Sequence, residues 1–289
     1  MATVIFLLIV AAGFALFLYQ TFWRDKLIRR RPFSPAWRGI LEKNVPVYQQ
    51  LEASERVRLE QLIQLFLAEK EFYGCDGLDL TDEIRITIAG QACLLLLGRG
   101  WQIYPGLMSV LVYPTAFIAE REVRDEDGTV SYAGHQLLGE SWSNGKVILS
   151  WDDVTRGGRD FHDGHNVVLH EFAHQLDGLS GATNGAPPLG GSNHDTWAQV
   201  FSDNYDDLRA RSARGLPTVL DSYGSTNPAE FFAVATEAFY ERPSALERVR
   251  PDLYAELQRY YRVEPKRWER EYTPPPRSNS AANWPGECD

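Results

Sequence analysis

The run Val167-Val168-Leu169-His170-Glu171-Phe172-Ala173-His174-Gln175-Leu176 constrains the fold most, because it asks for a buried helix that still carries three ionisable side chains. Val168, Phe172 and Leu176 recur at intervals of four, the spacing of one apolar helix face, and Asp177-Gly178 supplies a stop. Asp163 stands where an N-cap is wanted. On such a helix His170 and His174 lie one above the other, close enough for both imidazoles to hold one metal ion. Glu171 sits one residue round from the first histidine, where its carboxylate reaches a water on that metal. That is the place of a general base in metal-assisted hydrolysis. With six histidines in the chain, accident produces this spacing in under roughly one chain in a hundred.

A catalytic metal needs a third protein ligand and an open position. The histidine-ended signature H-E-x-x-H-x-x-G-x-x-H is excluded, since Asp177 replaces its Gly and Ser180 its last His. The best remaining region is the segment from Asp221 to Tyr240, where Asn227 is a good N-cap and Pro228 suits the first helical position. The helix that follows should run to about Arg242, with Glu230 and Glu237 two turns apart on one face. Glu230 also stands at the capping-box position relative to Asn227, so spacing alone leaves ligand and cap equally open. Asp177, Asp195, Asp221 and Glu237 stay open as well. Asp177 and Glu237 are candidates for orienting an imidazole or a neighbouring loop from behind the ligands.

These residues, with Tyr223 and the run Asn227-Pro228-Ala229-Glu230-Phe231-Phe232-Ala233-Val234, resemble the Mlc titration factor A family of zinc peptidases. Val112-Tyr113-Pro114-Thr115-Ala116-Phe117, Gly139-Glu140-Ser141-Trp142 and Val147-Ile148-Leu149-Ser150-Trp151 extend the likeness over roughly residues 46–271. The resemblance implies one zinc ion held by His170, His174 and Glu230, with Glu171 as base. It also implies that Tyr223, seven residues before the third ligand, assists the transition state; a similar spacing occurs in the catalytic domain of anthrax lethal factor. The implied activity is hydrolysis of peptide or protein substrates, leaning toward aminopeptidase action. The alternative it carries is a regulatory binding protein that sequesters a transcriptional repressor of sugar uptake.

The remaining elements alternate between short strands, such as Leu107 to Phe117, and helices after Ser54, over Thr81 to Leu97, Trp197 to Arg211 and Pro251 to Tyr261. That mixture reads as α+β, a zincin-like domain with the HExxH helix at its centre. The strand Val147 to Trp151, after the turn Ser143-Asn144-Gly145-Lys146, is a candidate sheet edge for an extended substrate. The Gly- and Pro-rich run from Gly178 to Ser192 is a candidate cover for the cleft.

From Thr3 to Trp23 no residue is charged, and Arg24, Lys26, Arg29, Arg30 and Arg31 follow. This pattern reads as a transmembrane helix over 1–23 with a basic juxtamembrane linker over 24–45. The positive charge after the span predicts a single-pass bacterial inner-membrane protein with its catalytic domain, 46–271, on the cytoplasmic side. The Pro-rich tail, 272–289, reads as disordered. A net charge of −10 argues against direct nucleic acid binding, and three widely spaced cysteines demand no oxidising compartment.

Overall fold

The computed structural model describes residues 23–115, 117–124, 130–137, 139–142, 145–189 and 194–269, together with residues 5, 6, 10, 13, 14 and 19. Two short helices come first, α1 (Arg24–Arg29) and α2 (Pro35–Asn44), followed by the longer α3 (Ala53–Glu69). A reciprocal capping box between Glu52 and Glu55 starts α3. After β1 (Glu71–Gly74), the buried helix α4 (Asp82–Leu94) begins at Thr81, whose side chain accepts the Ile84 N–H as the sequence suggests. There follow β2 (Ser109–Tyr113), the hairpin β3 (Phe117–Arg124) and β4 (Val130–Leu137), then β5 (Gly139–Trp142) and β6 (Lys146–Ser150). The second half is helical throughout: α5 (Trp151–Arg159), α6 (Val167–Asp177), α7 (His194–Ser212), α8 (Pro228–Glu241), α9 (Pro243–Val249) and α10 (Pro251–Tyr261).

The expected α+β class is corrected by this architecture. Helices dominate, and the main sheet is small, in the order β1-β2-β6-β5. Its first three strands are parallel and only β5 runs antiparallel, against β6. Parallel neighbours need long crossovers, so strands of four or five residues separated by helix and hairpin look like unrelated apolar fragments along the chain. In register, Val110 faces Val147 and Val112 faces Leu149, and all four are buried. The helix α6 packs against β5, β6 and α8. Phe172 on its apolar face meets Tyr104 at 4.8 Å and Phe66 of α3 at 5.6 Å between ring centroids, which fixes the rotation of α6 and so the direction of its histidines.

Residues 24–45, expected as a linker, carry α1 and α2, and Ile28, Phe33, Leu41 and Val45 are buried in the core. The expected membrane span is also corrected. Among the described residues no helix is long and apolar enough to cross a membrane, which overturns the single-pass helix and the inner-membrane placement built on it. The described helix that follows the run is the short, charged α1. Most of residues 1–22, and all of the tail 272–289, lie outside the described residues.

Candidate metal centre

The helix α6 starts at Asn166, three residues later than Asp163, the expected cap. The Asn166 side chain accepts from Val168 N at 3.1 Å and Leu169 N at 3.0 Å, while Asp163 forms a local turn by accepting from His165 N. Asn166 is buried, and each of its polar groups is used. Its amide nitrogen donates to Gln91 Oε1 at 2.9 Å and to Gly157 O at 3.2 Å. Its backbone N–H donates to Glu237 Oε2 at 2.6 Å. Gly157 permits this approach, because a Cβ there would lie 3.0 Å from Asn166 Cα.

The other helix of the centre, α8, is capped by Asn227, whose side chain accepts from both Ala229 N and Glu230 N. Glu230 turns its carboxylate to the histidines instead. Its Oε2 lies 2.9 Å from His170 Nε2 and 3.3 Å from His174 Nε2, and the two Nε2 atoms are 3.2 Å apart. These three residues can hold a metal ion. For nitrogen and oxygen ligands at roughly 2.0–2.1 Å, tetrahedral neighbours stand roughly 3.3–3.4 Å apart, so the spacing already fits one ion. All three side chains are mostly buried, with 9–18% of their surface exposed.

Electrostatics support that fit. His170 Nδ1 lies 2.7 Å from Glu237 Oε1, and a carboxylate only accepts, so Nδ1 carries the hydrogen and Nε2 is the atom left for a metal. Burial opposes a charged His170, but the Glu237 charge and the hydrogen bonds to Glu230 and Glu237 outweigh it and raise this imidazole well above its ordinary pKa. Burial likewise pushes Glu230 up, and the two imidazoles pull it down further, to about 2. A proton and a metal ion therefore compete for the same space between carboxylate and imidazole.

Glu171 is buried on α6 beside His170. Tyr223 lies in a short 3₁₀ turn, Ser222–Ser225, started by Asp221, whose side chain accepts from Tyr223 N. The Tyr223 ring centroid is 6.0 Å from that of His170, and the residue is 55% exposed. It thus stands at the solvent rim of the centre. Burial and the charges of Glu230 and Glu171 raise its pKa, which keeps the phenol protonated as a donor.

The two supporting candidates separate. Glu237 bridges His170 Nδ1 and Asn166 N, whereas Asp177 feels the charge of His174 and accepts from Gly185 N at 2.7 Å. Asp177 therefore holds the loop after α6. Trp197 Nε1 donates to the Gly185 carbonyl, and a Cβ on Gly185 would lie 2.4 Å from Pro228 O, so the loop is pinned beside the start of α8. Residues 190–192 of the expected cover lie outside the described residues. The strand Val147–Trp151 is not a sheet edge, because β6 pairs with β2 and β5 on its two sides and Trp151 opens α5. The edge passes to β5.

Asn166, Gln91 and Gly157 escape a reading of the sequence that looks for ligands. An Asn directly before the apolar repeat was the available signal for the first; nothing local marks Gln91, which α4 delivers from 75 residues away.

A family model described as glucose-regulated metallo-peptidase M90 matches residues 19–262. An uncharacterized protein of Synechocystis sp. is 45% identical over 246 residues, which are 84% of this chain and 89% of that protein. Proteins called Mlc titration factor A from Yersinia pestis and Yersinia pseudotuberculosis are each 32% identical over 246 residues, 81% of this chain and 89% of theirs.

Proposed function

Because the chain belongs to the glucose-regulated metallopeptidase family M90, we propose that it is a zinc-dependent peptidase with its active centre at His170, His174 and Glu230. The convergence of His170 Nε2, His174 Nε2 and Glu230 Oε2 within 2.9–3.3 Å carries this reading. Zinc, if held there, would supply Lewis acidity and make water a nucleophile near neutral pH. Glu171 accepts the proton of the attacking water and delivers it to the departing amine. Tyr223, from the exposed rim, donates a hydrogen bond to the oxyanion of the tetrahedral intermediate, a contribution of roughly 3 kcal/mol for a preorganised donor. Glu237 keeps the hydrogen of His170 on Nδ1, so that the ligand atom stays available. An extended substrate lies along β5, the end strand of the sheet among the described residues, where backbone hydrogen bonds bind it without demanding a sequence. The resemblance to the family favours aminopeptidase action.

The test is Glu171→Gln with zinc content measured beside turnover of N-terminally free and N-terminally blocked peptides. The variant should keep its zinc and lose at least about a hundredfold in rate, the scale of a lost general base. Parent-like turnover at equal zinc would remove Glu171 from the mechanism, and equal cleavage of blocked peptides would remove the aminopeptidase mode.

A further inference from the structure

A second concave site lies away from the metal centre, between α7, the segment 217–220 and the corner where α8, α9 and α10 meet. It is a cavity of about 540 Å³ whose wall carries Arg211, Arg242, Arg248 and Arg250 against a single acid, Asp207. In a chain of formal charge −10, that concentration of positive charge runs against the whole. None of its lining residues belongs to the metal centre.

The partners of the four guanidinium groups leave most of their donors for something else. Arg250 pairs with Asp207. Arg211 Nη2 donates to Pro217 O at 2.8 Å and Arg242 Nη1 to Val219 O at 3.2 Å. Each of those two therefore spends one N–H on the backbone of the same segment, which fixes both side chains at the cavity wall. A guanidinium has five N–H groups. Among the described residues, Arg211, Arg242 and Arg248 form no ion pair with a carboxylate. Three cations held around one cavity repel each other unless an anion sits between them, and guanidinium forks match the oxygens of a phosphate. Leu208, Val219, Leu220 and Val249 complete the wall with apolar surface, which suits a body attached to the anionic head. The volume falls in the range of small-molecule sites, roughly 300–1,000 Å³.

We propose that this cavity binds a small phosphomonoester, its phosphate held by Arg211, Arg242 and Arg248 and its organic body against Leu208 and Val219. The site is independent of the peptidase reading. Arg248 is exposed and Arg211 and Arg242 brace the 217–219 segment, so Arg248 is the residue to change without disturbing the fold.

The full-length, metal-stripped protein is titrated with inorganic phosphate and with phenyl phosphate at constant ionic strength, and heat of binding and thermal midpoint are followed. Both probes should bind saturably and raise the midpoint, with phenyl phosphate binding more tightly. Arg248→Gln should weaken both about tenfold, the effect of losing one charge-assisted hydrogen bond, while its midpoint without phosphate stays at the parental value. Arg248→Lys should recover part of the loss, and His174→Ala should bind phosphate as the parent does. No saturable binding, parental binding by Arg248→Gln, or loss of binding in His174→Ala would each overturn the proposal.

Discussion

Replacing Glu237 by glutamine tests how the centre is set up before any metal arrives. Both carboxylate oxygens of Glu237 accept, one from His170 Nδ1 at 2.7 Å and the other from the buried Asn166 N–H at 2.6 Å. Glutamine offers one oxygen and one NH₂ in the same space, so it can serve only one of the two donors. If its oxygen stays on His170, the Asn166 N–H faces another donor at the start of α6, which costs about 1–3 kcal/mol. If the oxygen turns to Asn166, the imidazole must accept at Nδ1 and carry its hydrogen on Nε2, where the proposed ligand lone pair is needed. Either way metal affinity should fall by about 10–100-fold, or roughly 1.4–2.7 kcal/mol. The assay is zinc competition against a coloured chelator at neutral pH, run beside urea unfolding of the metal-free protein. Affinity within about twofold of the parent, with unchanged unfolding, would refute the bridging role of Glu237.

Glu241 is almost fully buried, and burial and the charge of Glu237 raise its carboxyl well above the usual range. The folded state therefore holds a proton that the unfolded state releases, and stability falls as pH rises from the ordinary glutamate value toward the raised one. Glu241→Gln should remove that fall, raising the thermal midpoint at pH 8 but not at pH 4; an equal change at both pH values would refute the linkage. At Gly224, an added Cβ would lie 3.2 Å from both Leu208 Cδ2 and Val234 Cβ. Gly224→Ala should cost about 1–3 kcal/mol and shift the Tyr223 turn, lowering turnover at parental zinc affinity, so unchanged turnover would separate Tyr223 from the chemistry. Asp177→Ala orphans Gly185 N–H and should speed proteolysis between residues 178 and 189, whereas a parental cleavage pattern would show that the loop is held by other contacts.

What the sequence discloses here depends on how local the determining contact is. The His170 and His174 pair is read directly, because four residues on a helix place both rings on one face whatever surrounds them. Glu230 stayed divided between cap and ligand because a capping box and a ligand helix share the same spacing. In the structure the Asn227 side chain caps the helix on its own, while Glu230 Oε2 lies 2.9 Å from His170 Nε2 and 3.3 Å from His174 Nε2. Sequence places the start of α6 at Asp163 because several polar residues precede the apolar repeat; in the structure Asn166 caps it, held by Gln91 and Glu237 from distant helices. The fold class was misread for a similar reason. Glu71 pairs beside Ser109 and Ser109 beside Lys146, and no periodicity within four or five residues announces a partner that far along the chain.

The separation of the ligands along the chain also bears on how the molecule comes into being. A ribosome releases the protein from its N-terminus, so α6 can form with both imidazoles while Glu230 and Glu237 are still unmade. During that interval His170 has neither the carboxylate that would share a metal with it nor the one that sets its hydrogen. A nascent chain that ends before α8 therefore has the two imidazoles but neither of the carboxylates that meet His170 in the folded protein. Placing the last two acids on a helix some sixty residues downstream means that the cluster closes only once α8 has been made.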